Sequence, residues 1–119
     1  MVKMSLEEFQ ELVDEALENI PEEFRKHLDN VDILVEDWPN RKEPLFGLYR
    51  GVPKTKRGLY YSGVLPDKIT IFAGPILSFS KDEEGVKFQV KKTVIHEIGH
   101  YFGMSEETIR QAEKESRQK

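Results

Sequence analysis

Two of the three histidines in this cysteine-free chain stand four residues apart, in the segment His96, Glu97, Ile98, Gly99, His100. Residues four apart in a helix lie one turn apart on the same face, so both imidazoles can reach one metal ion at about 2.0–2.1 Å. Glu97 is rotated about 100° from His96, too far round for a natural ligand but well placed beside the ion. From there it can take a proton from a water activated by the metal and pass it to a leaving amine. A chain of this composition meets the HExxH spacing by chance about once in a hundred. The competing structural reading is a pair of solvated helix histidines, which the placement on an amphipathic helix makes the weaker one.

A catalytic zinc usually takes three protein ligands and keeps one position open. Without thiols the third ligand must come from His, Asp, Glu or backbone oxygen. Gly103, three residues after His100, ends the helix and lets the chain turn back. Glu106 then falls where the longer zinc-peptidase pattern HExxHxxGxxH carries its third histidine. Its alternative role is to complement the N-terminus of the last helix. Glu107 is the near rival, and Glu113 faces inward only if the last helix folds across the site. His27, spaced with Phe24 and Leu28, reads as a flank of a short helix rather than a ligand.

These groups need a scaffold. Phe9, Leu12, Val13, Ala16, Leu17 and Ile20 recur at steps of three and four, and Ser5 with Glu8 fits a capping box, so a first helix begins at Ser5. Pro21 stops or restarts it, and Phe24 with Leu28 gives a short second helix ending near Asp29 and Asn30. Val31, Ile33 and Val35 then alternate with Asp32, Leu34 and Glu36 as a strand. Leu45–Tyr49 reads as a second strand and Lys68–Ala73 as a third, continued through Pro75 to Phe79. Arg50–Pro66, rich in Gly, Pro, Lys and Tyr, reads as a surface loop. After the charged Ser80–Gly85 segment, Val86, Val90, Thr93 or Val94, Ile98 and Phe102 resume helical spacing. Ser105 caps a last helix from Glu106 to about Ser116. The order describes one α+β domain over residues 1–119, with three to four strands, the HExxH helix and flanking N- and C-terminal helices.

Composition narrows the function classes. At 119 residues and a net charge of −4, one domain is expected, with little material for a separate substrate-binding domain. The charged fraction of 34% is nearly balanced in sign, which argues against nucleic acid or an anionic membrane as partner. No apolar run approaches the roughly 20 residues of a membrane span, and the first residues lack the apolar core of a signal peptide, so a soluble cytoplasmic protein is expected. Oligomeric state is not encoded in any of these features.

The segment HEIGHYFGMSEE, together with LFGLYRGVP and LPDKITIF upstream, resembles the small bacterial zincin-like proteins that carry an HExxHxxGxxD motif, the minimal zincins. The similarity runs from about Val31 to Glu107. It implies a compact zincin-like α+β core with the motif helix beside a small mixed sheet, and one zinc ion held by His96 and His100. The aspartate position of that motif is filled here by Glu106. Glutamate is one methylene longer, so either the turn after Gly103 sits farther from the ion or another group binds.

The resemblance also implies that a peptide or unfolded protein segment lies along an exposed sheet edge and adds a strand there. Ile69–Ala73 or Pro75–Phe79 is the edge expected from the sequence, against the alternative of an ordinary paired core strand. Lys54, Lys56, Arg57, Tyr60 and Tyr61 fit either a cleft wall that donates to an oxyanion or a solvated loop. Tyr101 is assigned to the core, and Trp38 to a plug at a strand end. The leading function is a zinc-dependent peptidase with Glu97 as general base. The alternative is a zinc-stabilised binding or regulatory domain without catalysis.

Overall fold

A computed structural model describes residues 1–28, 30–40, 42, 45–51 and 67–117. The first helix, α1, spans Leu6–Glu18, and its Ser5 hydroxyl accepts from the Glu8 N–H while the Glu8 carboxylate accepts from the Ser5 N–H. This reciprocal cap satisfies two donors that the helix start leaves unpaired. Phe9, Val13 and Ala16 form its buried stripe. Pro21 caps the single turn α2, Glu22–Arg25, which ends sooner than the sequence pattern suggests; Asp29 lies outside the described residues.

Three strands follow: β1, Val31–Glu36; β2, Gly47–Arg50; and β3, Asp67–Phe72. They form one mixed sheet in the order β1-β3-β2, with β1 parallel and β2 antiparallel to β3. β3 is therefore the central strand, buried at every position but Lys68. The expectation that Ile69–Ala73 offers a free edge is corrected by this order. The second strand begins at Gly47 rather than Leu45, and the sheet has three strands among the described residues.

The continuation through Pro75 to Phe79 is also corrected, because Ala73–Phe79 is a helix, α3. Two contacts turn the chain immediately after β3. The Gly74 N–H donates to the Asp37 carbonyl at 2.7 Å, and the Trp38 indole occupies the space that a side chain on Gly74 would need. Pro75 then falls in the first helical turn, where a missing N–H costs nothing. Trp38, half-exposed, thus packs on a helix start at the end of β1.

The long helix α4, Glu83–Tyr101, starts three residues before the apolar spacing, because the Asp82 carboxylate accepts from the Gly85 N–H and sets its cap. Its Val86, Val90, Val94 and Ile98 stripe meets Phe9 and Val13 of α1 and Ile69 and Ile71 of β3 in one core. Burial of each such side chain contributes about 1.5–3 kcal/mol. Tyr101 is fully buried in the same core, edge-on to Tyr49 at 6.1 Å. The last helix, α5, covers Glu106–Arg117 and packs on α4. No helix among the described residues is long and apolar enough to cross a membrane.

Candidate metal centre

The second stripe of α4, Gln89, Thr93 and Glu97, is buried against the sheet. Thr93 and Glu97 pack against Gly47 of β2, where an added Cβ would lie 2.8 Å from the Thr93 methyl and 3.0 Å from Glu97 Cγ. The β2–β3 register makes Phe46 a hydrogen-bonded partner of Phe72, so Gly47 and Tyr49 direct their backbone groups away from β3. The Tyr49 N–H donates to the Glu97 carboxylate. Glu97 itself is 8% exposed. Burial raises its pKa above the ordinary carboxylate value, while His100, His96 and the Tyr49 N–H pull the other way and Glu106 adds to the rise.

His96 and His100 are half-buried on the neighbouring face of α4, with ring centroids 4.7 Å apart. His96, Glu97 and His100 each offer a ligand atom, and these atoms lie within 4.8 Å of one another.

The turn between α4 and α5 brings carboxylates to this pair. Gly103 is left-handed at φ 71°, its N–H donates to the His100 carbonyl, and the Met104 N–H donates to the Gly99 carbonyl. That pairing closes the helix end, and glycine adopts the required φ without Cβ strain. Ser105 accepts from the Thr108 N–H through its hydroxyl and starts α5 at once. Glu106 is thereby delivered over the imidazoles, with its Oε1 at 3.6 Å from His100 Nε2 and 4.0 Å from His96 Nε2.

Gly99, inside the HExxH segment, decides how closely α5 approaches. A Cβ there would lie 2.5 Å from Ile109 Cγ1, so α5 rests on the bare backbone of α4. Ile109 is fully buried, and one turn farther along the same face Glu113 reaches back to His96. The Glu113 Oε1 lies 3.2 Å from His96 Nδ1, and the Glu113 side chain is 11% exposed. With Nδ1–H donated to a carboxylate, the Nε2 lone pair is the one left for an ion.

The candidates thus divide by position. His96, Glu97, His100 and Glu106 converge, and Glu113 stands behind His96 rather than beside Glu106. Glu107 is exposed on α5, and His27 is exposed in the turn after α2, outside the group. Lys54, Lys56, Arg57, Tyr60 and Tyr61 lie outside the described residues. The spacing argument missed the Tyr49 N–H and the service of Glu113 to Nδ1, because both depend on contacts between elements. The only sequence signal for either was the position of Glu113 one turn beyond Ile109.

The donor set suits zinc. Tetrahedral ligands at about 2.0–2.1 Å from an ion are about 3.3 Å from each other. The two Glu106 contacts, 3.6 and 4.0 Å, lie within 1 Å of that spacing. Two neutral imidazoles and one carboxylate are also the ligand types this ion takes in catalytic sites.

Comparison with known proteins follows the same line. No curated protein matches the sequence. A solved structure of a conserved hypothetical protein from Thermus thermophilus is similar at 26% identity, with a TM-score of 0.59 over 83% of this chain and 94% of that one. A family model described as zincin-like metallopeptidase matches residues 28–116, three quarters of the length, and takes in the sheet, α4 and α5. The chain belongs to the zincin-like metallopeptidase family.

Proposed function

We propose that this protein is a zinc-dependent peptidase in which His96, His100 and Glu106 hold one ion and Glu97 is the general base. The observation that carries the reading is the convergence of His96 Nε2, His100 Nε2 and Glu106 Oε1 beside the buried Glu97 carboxylate. When bound, zinc supplies Lewis-acid chemistry, lowering the pKa of water and polarising a peptide carbonyl. The protein's own groups do the rest. Glu97 accepts a proton at its carboxylate oxygen and returns it to the leaving amine, while the Tyr49 N–H and the close approach of Gly47 position it. Glu113 fixes the ring of His96.

The substrate we infer is a short peptide or an unfolded protein segment, which can lie extended along a strand edge beside the motif helix. Because β3 is central, the strand beside α4 that would receive such a segment is β2, whose Gly47 backbone groups and Tyr49 carbonyl point away from the sheet.

The test is Glu97→Gln with a mixed peptide library as substrate. Zinc content should stay at the wild-type level while cleavage is lost; persistence of cleavage in the variant removes Glu97 from the mechanism. A second reading rests on the fact that both carboxylates reaching the histidines come from α5. An ion would then clamp α5 to α4 and serve stability alone. That reading requires a large fall in Tm on chelation and full biological activity in Glu97→Gln.

A further inference from the structure

Beside the metal centre, a trough runs along α4 between α1 and α5. It consists of two hollows of about 580 and 370 Å³ that share Glu15, Ala16, Asn19, Lys91 and Ile95 as common wall. Neither hollow is lined by His96, His100 or Glu106, so the trough is separate from the metal centre, although Glu113 reaches its wall. Its floor on α4 extends from Glu84 to Phe102, about 27 Å at 1.5 Å per residue.

The two ends differ in chemistry. Toward the α4 C-terminus the lining is apolar, with Phe24, 36% exposed, beside Phe102, Met104 and Ala112. Toward the N-terminus an apolar strip of Leu12, Phe88 and Ile95 is overlaid by cations. Lys87 and Lys91 on α4, and Arg110 and Lys114 on α5, are each one turn apart, with Lys92 next to the first pair. Glu15 of α1, Glu84 in the first turn of α4 and Glu113 of α5 line the same hollow. A chain of net charge −4 therefore gathers five of its 18 cations along the α4 and α5 sides of one groove, against three acids.

We propose that this trough is the docking site for an amphipathic helix of a partner protein, about 18 residues long, with an apolar stripe and an acidic flank facing α5. Charge complementarity and the spacing of the charges select this occupant. Cations repeating at every turn match Asp or Glu repeating at every turn on a docked helix, whereas the single carboxylate of a fatty acid would use one of them. The length of the floor equals about five turns of such a helix. The inference is independent of the peptidase reading.

The test uses a displayed library of random 18-residue segments, selected against the full chain carrying Glu97→Gln so that no bound segment is cleaved. Enriched sequences should carry apolar residues at i, i+3 or i+4, and i+7, with Asp or Glu along one flank. The best synthetic peptide should lose at least tenfold in affinity to the chain with Arg110→Glu and Lys114→Glu, both exposed positions, and a peptide with Lys replacing its acids should regain it. Circular dichroism confirms that the double variant folds. Enriched sequences without helical period, or binding indifferent to the double variant, overturn the proposal. So does a groove that binds dodecanoate but no segment, which would assign it to lipid. Concentration-dependent dimerisation lost in the double variant would assign it to a second copy of the chain and overturn the proposal equally.

Discussion

His96 in α4 and Glu113 in α5 meet at 3.2 Å through Nδ1 and Oε1, and Glu113 is nearly buried in making the contact. The pair does two things at once. It turns the Nε2 of His96 toward Glu106, and it holds the last helix against the motif helix. A carboxylate behind a metal-binding imidazole raises ligand basicity and locks the ring, and its loss typically costs about 10–100-fold in metal affinity. Glu113→Ala should therefore weaken zinc binding by about that factor, with Glu113→Gln, which keeps one acceptor oxygen, losing less. Chelator competition measures both. Equal affinity in all three proteins would leave Glu113 with a packing role alone.

Gly99 sets the distance over which that pair acts. Alanine there places a methyl 2.5 Å from Ile109 Cγ1, and the neighbouring atoms belong to a fully buried side chain. Overpacking of this kind costs about 1–3 kcal/mol. Gly99→Ala should lose that much stability in urea denaturation and also bind zinc more weakly, because Glu106 and Glu113 move with α5. Adding Ile109→Ala should restore part of the zinc affinity by making room for the methyl. If the double variant binds zinc no better than Gly99→Ala, the contact with Ile109 is not what transmits the effect.

Much of this arrangement is legible in sequence because it is local. The Ser5–Glu8 cap, the alternation of Val31, Ile33 and Val35, and the one-turn spacing of His96 and His100 are each decided within a few residues. The segment Ala73–Phe79 is different. It is apolar, short and buried through Leu77, so it carries no period that separates strand from helix, and the seat of Trp38 on Gly74 decides the matter. Strand order is hidden for a similar reason: β1 and β3 pair in parallel across a chain that visits β2 between them. The acids follow the same rule. Glu106 is reached by a local turn at Gly103, whereas the partner of Glu113 depends on how α5 crosses α4.

The ligand set can be separated one acid at a time. Among the described residues, only Glu106 of the α5 acids has an oxygen within 4.0 Å of both Nε2 atoms. Glu106→Ala should lower zinc affinity by at least a hundredfold, while Glu107→Ala and His27→Ala, at exposed positions away from the pair, should leave it within twofold. Isothermal titration with zinc distinguishes them. Loss of binding in Glu107→Ala but not in Glu106→Ala would exchange the two residues' roles.

Glu97 gives the protein a pH dependence that should be visible once zinc is removed. Burial raises its pKa, more than the two imidazoles and the Tyr49 N–H lower it. The folded state then binds this proton more tightly than the unfolded state, so stability falls as pH rises. The fall begins near the unfolded carboxyl value of about 4.3 and levels off above the raised folded value. Glutamine has nearly the same shape and no charge to desolvate. In excess chelator, Glu97→Gln should melt several degrees above the wild type at pH 7.5, and the difference should shrink as pH approaches 4. Melting curves of the two proteins across that range are sufficient. A wild type that is the more stable partner at pH 7.5 would mean that the hydrogen bond from Tyr49 and the histidine field outweigh the burial of the carboxylate.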